Sequence, residues 1–453
     1  MLSILIAIIG IILTIFLIVG IHEFGHFIVA RLAGVKVLRF SLGFGKALLR
    51  WHDKKGTEFI LAAIPLGGYV KMLDESEEKV AKNELHLAFN RQPLYKKIAV
   101  VMAGPLANFI FAFGLYWLLF VVGFTSMIPL IGNVIPHSLA ANAGLKPQDE
   151  ILAINDKITR DWNAVVIRLM AYLGEKTQIA IKTQQFNSHT ILQHTLDLTH
   201  WQMNNLKPDP LESLGIEPYQ PKISLVIGSV LPHSPANQAG LQINDVILSV
   251  GQQRIKNWEQ LLTFVATHPA ETVLFKIKRQ TKILSLPVTL GYKYDGWFHK
   301  HGFLGLSPQF KWPPGLLRKT QYNPFTALAP AKQEVVDFTT LNFQLLGKML
   351  TGKVSLQGLG GPITVFESAG TALNNGILSF ISFLAFFSIA IGVINVLPIP
   401  GLDGGHLLFY LIEFVTRRPL SLRIQVLFFR LGIIALVLLV TQALVNDIMR
   451  LFG

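Results

Sequence analysis

The sequence predicts a multi-pass α-helical membrane protein: four transmembrane helices, a membrane-associated β segment between the first two, and two extracytoplasmic copies of one α+β domain. Three observations carry this reading. Four apolar stretches reach the roughly 20 residues needed to cross a bilayer. The polar middle of the chain repeats itself at an offset of 96 residues. The third observation is a pair of histidines, His22 and His26, set into the far end of the first apolar stretch. Composition agrees, since 453 residues that are 51% hydrophobic and only 15% charged are too apolar for an ordinary soluble chain and rule out disorder as the main state. The absence of cysteine excludes disulfides, thiolate zinc sites and cysteine nucleophiles, and leaves His, Asp and Glu as the candidates for a strong metal site.

Taken in order, the first apolar stretch (1–33) lacks a preceding basic residue and a clear small-residue cleavage site, so it is read as a retained span rather than a signal peptide. Segment 34–97 is β-rich, 98–124 is the second span, 125–220 and 221–310 are the two repeats, and 311–370 is a linker with an amphipathic helix from Ala331 to Leu350. That helix either lies on the membrane surface or is an ordinary linker. The third span is placed at 371–416 and the fourth at 417–453. Thirteen Lys and Arg fall in 31–97, and Arg417, Arg418, Arg423 and Arg430 fall between the last two spans, whereas the flanks 124–138 and 360–376 hold none. Positive loops stay inside. Both termini and the repeats are therefore expected outside, with 34–97 in the cytoplasm. The formal charge of +13 is absorbed by this topology, because the other basic residues are spread out and form no block interleaved with aromatics. No nucleic-acid partner is expected.

In the repeat, Ile131-Gly-Asn-Val-Ile-Pro-His-Ser138 aligns with Ile227-Gly-Ser-Val-Leu-Pro-His-Ser234, Ala143-Gly-Leu145 with Ala239-Gly-Leu241, Asp149 with Asp245 and Trp162 with Trp258. Each copy reads as a strand, a Pro/Ser turn, a short helix with a Gly C-cap, and a polar turn before an apolar strand. The pattern resembles PDZ domains, with Gln148 and Asn244 standing where glycine is usual. The segments Leu214-Gly215-Ile216 and Leu304-Gly305-Leu306 resemble the peptide-binding loop, in a circularly permuted order. Such domains capture peptide C-termini by adding a strand to a sheet edge; a spacer or steric filter is the other reading.

His22-Glu23-Phe24-Gly25-His26 places two imidazoles at i and i+4 on one helix face, where they can share a metal ion. Glu23 sits one position round, as a proton acceptor beside the ion rather than a ligand. A catalytic zinc wants a third protein ligand and one open position. The segment Asn395-Val-Leu-Pro398-Ile-Pro400-Gly-Leu-Asp403-Gly-Gly-His406 supplies a carboxylate, Asp403, which is costly in apolar surroundings unless it is paired or liganded. Counted along the first and third spans, the histidines and Asp403 fall in the same, cytoplasmic half of the bilayer. His406 and His52 are weaker candidates.

With H-E-F-G-H in the first span, Gly104-Pro105-x-x-Asn108 in the second and N-x-x-P-x-P-x-x-D-G-G in the third, the whole chain resembles the bacterial site-2 proteases. The resemblance implies an intramembrane zinc metalloprotease of the bacterial inner membrane, with one Zn²⁺ held by His22, His26 and Asp403 and Glu23 as general base. It implies that Asn395 helps to hold substrate, and it sets Asn108 among the residues of the substrate site. It also implies that the strands at Phe40–Gly45 and Glu58–Lys71, around Gly67, Gly68 and Tyr69, form a membrane-dipping β-hairpin whose edge pairs with an unwound substrate. A small cytoplasmic sheet is the plainer alternative. Single-span membrane proteins already trimmed outside, such as anti-sigma factors and remnant signal peptides, are the implied substrates, and the lipid bilayer is a partner throughout. A PDZ-based membrane scaffold with a structural zinc site is the rival reading; a zinc transporter would need further intramembrane acids.

Overall fold

The computed structural model describes residues 2–76, 79–203, 209–221, 223–295, 299–310, 312–418 and 420–452, which divide into one unit of residues 1–217 with 318–453 and a second of residues 218–317. Four helices of the first unit are long and apolar enough to cross a membrane, over Ile4–Leu32, Leu94–Val122, Ile377–Val396 and Arg423–Leu451. The first of these belongs to α1 (Leu2–Leu32), and the chain then enters two long strands, β1 (Val37–His52) and β2 (Glu58–Met72). Phe40 lies opposite Val70 on one side and Phe59 on the other, while Arg50 lies opposite Ile60. The expected hairpin is therefore folded back into a sheet of four short stretches. Gly43 and Gly45, at φ of 91° and 85°, make the bend in β1, and Gly67, at 131°, makes the bend in β2. One edge of this sheet's ladder is Gly68–Met72, which lies beside β1.

Helix α2 (Leu94–Val122) crosses α1 at small residues: a Cβ on Gly25 would stand 2.7 Å from Cβ of Ala107. Where lipid supplies no hydrophobic drive between helices, such close backbone approach is what holds them together.

The repeats follow. In the first, Ser138 caps a turn of helix at Leu139–Asn142 by accepting from Ala141 N, and Asp161 caps α3 (Trp162–Met170) by accepting from Ala164 N. In the second, Ser234 caps Pro235–Gln238 and Asn257 caps α4 (Trp258–Thr267) in the same way. Gln148 and Asn244 both take left-handed conformations, with φ of 68° and 72°, so the turn that glycine usually makes is kept. In both turns the following aspartate fixes the backbone: Asp149 accepts from Lys146 N at 3.0 Å and Asp245 from Gln242 N at 2.9 Å. Ile135 N donates to Gly215 O and Leu231 N to Gly305 O, so in each copy the late Leu-Gly segment returns beside the first strand.

The linker holds two helices rather than one. Amphipathic α5 (Leu328–Leu350) is joined by α6 (Pro362–Asn374), whose Gly370 packs so closely on α1 that a Cβ there would stand 2.9 Å from Cα of Ala7. Residues 371–374, assigned from sequence to the third span, belong to α6; the break falls at Gly376, with φ of 107°. Next, α7 (Ile377–Val396) stops before Pro398 and Pro400, and Asp403 opens a separate helix, α8 (Asp403–Thr416), rather than ending the third span.

The last helix, α9 (Leu422–Phe452), is tied to α6 by a buried carboxylate. Asp447 accepts from the backbone N–H groups of Gly361 (2.9 Å), Ile363 (2.8 Å) and Thr364 (3.1 Å), and from the Thr364 hydroxyl (2.5 Å). It thus caps α6 from another helix, complementing the positive end of the helix dipole. Replacing Asp447 with Ala leaves those donors unpaired, at about 1–3 kcal/mol each. A cysteine at Ala369, buried against α1, should then react with a thiol reagent at least several-fold faster than in the Asp447 background. Equal labelling rates would show that α6 stays docked without this cap.

Candidate metal centre

Helix geometry brings His22 and His26 together, with ring centroids 4.8 Å apart and Nε2 atoms 3.2 Å apart. Each ring is held from behind by α2. The Nδ1 of His26 lies 2.8 Å from the carbonyl oxygen of Val100, an acceptor only, so Nδ1 carries the proton and Nε2 presents a bare lone pair. The side-chain amide of Asn108 lies 3.3 Å from Nδ1 of His22. Asn108 Oδ1 has no hydrogen-bond partner among the described residues, and the two ends of an amide are interchangeable by a half-turn. With Oδ1 turned to Nδ1–H, the Nε2 of His22 likewise faces inward as a lone pair.

Asp403 closes the group because Pro398 and Pro400 end α7 and Gly401, with φ of 97°, turns the chain back before α8 starts. Its Oδ2 lies 3.1 Å from Nε2 of His22 and 3.4 Å from Nε2 of His26, and it is buried with no hydrogen-bond partner among the described residues. One nitrogen from each histidine and one carboxylate oxygen thus converge within 4.8 Å of one another. Three lone-pair atoms facing each other repel unless a cation lies between them. Two imidazoles and a carboxylate suit zinc, and three ligands leave a fourth position open.

The centre opens into a cavity of about 690 Å³. Glu23 lines it beside the ligand atoms, and its Cγ packs so closely on β2 that a Cβ on Gly68 would stand 2.9 Å away. Gly68 and Tyr69 of the sheet edge, together with Asn395, form further wall, and Asn395 donates to the carbonyl oxygen of Ile391 at 3.0 Å. Gly67, one residue further back, lies against the Phe44 ring, which stacks on Tyr69 at 6.1 Å. Asn108 does not line the cavity; it is fully buried behind His22.

His406, a weaker candidate in the sequence, is not among the converging ligand atoms but lines the cavity, as does Tyr410. The restart of the helix at Asp403 sets their direction, and continuous helix through the motif would have given another phase. His52 stands at the far end of β1 opposite Glu58 and is not among the ligand atoms. Gly104 is a residue whose role sequence reasoning did not see. A Cβ there would stand 2.6 Å from Cε1 of His26 and 2.8 Å from Cε1 of His22.

Known proteins agree with this chemistry. The chain matches peptidase family M50 over residues 10–439. It is 42% identical over 434 residues, 96% of each chain, to the regulator of sigma-E protease RseP of Escherichia coli K12. It is 41% identical to the protease RseP of Yersinia pestis over the full length of both, and 36% identical to a putative zinc metalloprotease of Vibrio cholerae over 96% of each. With its H-E-x-x-H helix and a group of two histidines and an aspartate able to hold zinc, the chain belongs to peptidase family M50 and is a membrane-embedded zinc metalloprotease.

Proposed function

We propose that this protease cleaves single-span membrane proteins inside or beside their transmembrane segment, with zinc held by His22, His26 and Asp403. The observation that carries the proposal is the convergence of three potential ligand atoms within 4.8 Å at the wall of a cavity bordered by the Gly68–Met72 edge of the sheet. Zinc bound there acidifies water and polarises the scissile carbonyl. Glu23 takes the proton of the attacking water and returns it to the leaving amine. Helical peptide bonds are sealed by their own hydrogen bonds, so a substrate must be opened first. The Gly68–Met72 edge, with Tyr69 and the glycines at 67 and 68, offers it a strand to pair with, and Asn395 offers an amide to the opened backbone. Asn108 acts from behind, holding the His22 ring in the tautomer that zinc needs.

Loop charge supports an orientation with this centre toward the cytoplasm and the two repeats and both termini outside, in a bacterial inner membrane. The paired strand, capped turn and returning Leu-Gly segment support reading both repeats as PDZ-like, able to admit trimmed substrates by binding a peptide end or by excluding bulk. The relatives named for sigma-E regulation support an anti-sigma factor as one substrate, beside remnant signal peptides. A scaffold built on a structural zinc would need a closed four-ligand site, and the open cavity favours catalysis.

Two measurements test this. Mass spectrometry of a single-span protein incubated with the purified enzyme should map the cut to the apolar segment; cuts confined to flanking loops would sink the proposal. Asp403→Ala should retain less than about a tenth of wild-type zinc after dialysis, in line with the loss of a direct ligand. Unchanged zinc content would assign the third ligand elsewhere.

A further inference from the structure

The ends of α2 and α7 remote from the metal centre form the floor of a second cavity, of about 550 Å³, closed by α3 of the first repeat and by α5. Its walls carry the rings of Tyr116, Phe120, Phe124 and Phe338, and its charged lining residues are Asp161 and Glu334, with no Lys or Arg. Asp161 is already engaged as the cap of α3, accepting from Ala164 N at 2.9 Å. The Glu334 side chain makes no hydrogen bond or ion pair among the described residues. Of the basic groups nearby, Arg168 and Arg160 are committed to other partners, while Lys157 lines the adjoining cavity that Glu334 also borders. Arg168 pairs with Asp337 at 2.6 Å, and the Arg160 guanidinium lies over the rings of Phe120 and Tyr322 at 5.9 and 5.7 Å. Burial, with help from Asp161 and Asp337 and against the opposing pull of Arg160 and Arg168, raises the Glu334 carboxyl to about 7. An unpaired carboxyl ringed by aromatic faces is a receptor for an ammonium or guanidinium group on an apolar stem.

Position names the occupant. Eight residues of α2 separate Asn108 from Tyr116, and thirteen of α7 separate Ser382 from Asn395. The cavity therefore lies about 12–20 Å from the depth of the metal centre along the two helices that flank it. We propose that it binds a lysine or arginine side chain of the substrate, carried about 12–20 Å from the scissile bond on the side of the first repeat, about 8–13 residues where the substrate stays helical. This inference rests on the function proposed above, because it takes a membrane-spanning chain as the ligand.

The test uses the full chain with Glu23→Gln in lipid nanodiscs and two fluorescent single-span peptides that differ only in Lys or Gln at such a position. Anisotropy should give the lysine peptide a Kd about tenfold lower. Adding Glu334→Gln should erase the difference, and Glu334→Asp, which keeps the charge, should preserve it. The preference should grow between pH 6 and pH 8, as Glu334 loses its proton in the company of Tyr116, Asp161, Asp337, Arg160 and Arg168. Equal affinities, or a preference untouched by Glu334→Gln, overturn the inference. So does a lysine preference that vanishes when phosphatidylethanolamine or phosphatidylcholine replaces phosphatidylglycerol in the disc, since the cavity would then belong to the cationic headgroup of a lipid. Cleavage of the same peptides by the Glu23 enzyme is read separately: no cleavage despite preserved lysine preference would sink the proposed function and leave the cavity standing.

Discussion

A Gly104→Ala protein is expected to insert and fold but to hold less than about a tenth of the wild-type zinc, with cleavage reduced at least about 100-fold. Carbon atoms in contact sit 3.5–4.0 Å apart. The added methyl would stand 2.6 Å from Cε1 of His26, closer still to its Nε2, and 2.8 Å from Cε1 of His22, an overlap of about 1 Å or more. Neither ring has a place to go without losing its function. His26 is fixed by the Val100 carbonyl and His22 by the Asn108 amide, so retreat from the methyl breaks the bonds that set the tautomers and carries Nε2 away from Asp403. The helix itself should survive, because alanine is a better helix former than glycine by about 1 kcal/mol. Metal analysis beside circular dichroism separates the two effects. Full zinc content with native helicity would show that the rings tolerate the methyl and that Gly104 is not the cradle of the site.

Gly104 also marks where the sequence stopped being readable. Four spans follow from apolar length alone, and the pairing of His22 with His26 follows from helical spacing, because both are local properties of the chain. Asp403 was reached by elimination, since few other intramembrane acids remained and its depth matched. What lies behind the ligands is a property of the α1–α2 crossing, and nothing in the order of residues says that Gly104 will face two rings from another helix. The sheet gave a similar result: glycines and a proline announced bends in 37–72, but which stretch lies beside which is decided by register, and two strands became four stretches. Helix α6 hid in apolar sequence that looked continuous with the third span. Small residues such as Gly370 and Ala369 let it pack on α1, and small apolar residues read alike in a span and in a docked helix. His406 stands outside the group of ligand atoms, and its place on the cavity wall follows from the helical phase set at Asp403.

Glu23→Gln should lower kcat by about 1,000-fold or more while zinc stays at one per chain and KM changes little. Glutamine has nearly the shape of glutamate, so the packing of Cγ on Gly68 and the wall of the cavity are kept. What it lacks is a basic oxygen. General base catalysis contributes about 10²–10⁴-fold, and here the same carboxylate must both accept a proton from water and deliver it to the amine, which places the loss at the upper end. An interaction needed only for proton movement affects kcat and kcat/KM together and leaves ground-state binding alone. A purely structural role predicts something else: Glu23→Gln, keeping the packing, would stay active, whereas Glu23→Ala, which empties the space against Gly68, would not. A ligand role predicts a third pattern, with zinc lost in both variants. Measuring zinc, KM and kcat for Gln and Ala side by side therefore assigns Glu23 to one of three roles, and unimpaired cleavage by Glu23→Gln would remove it from the chemistry altogether.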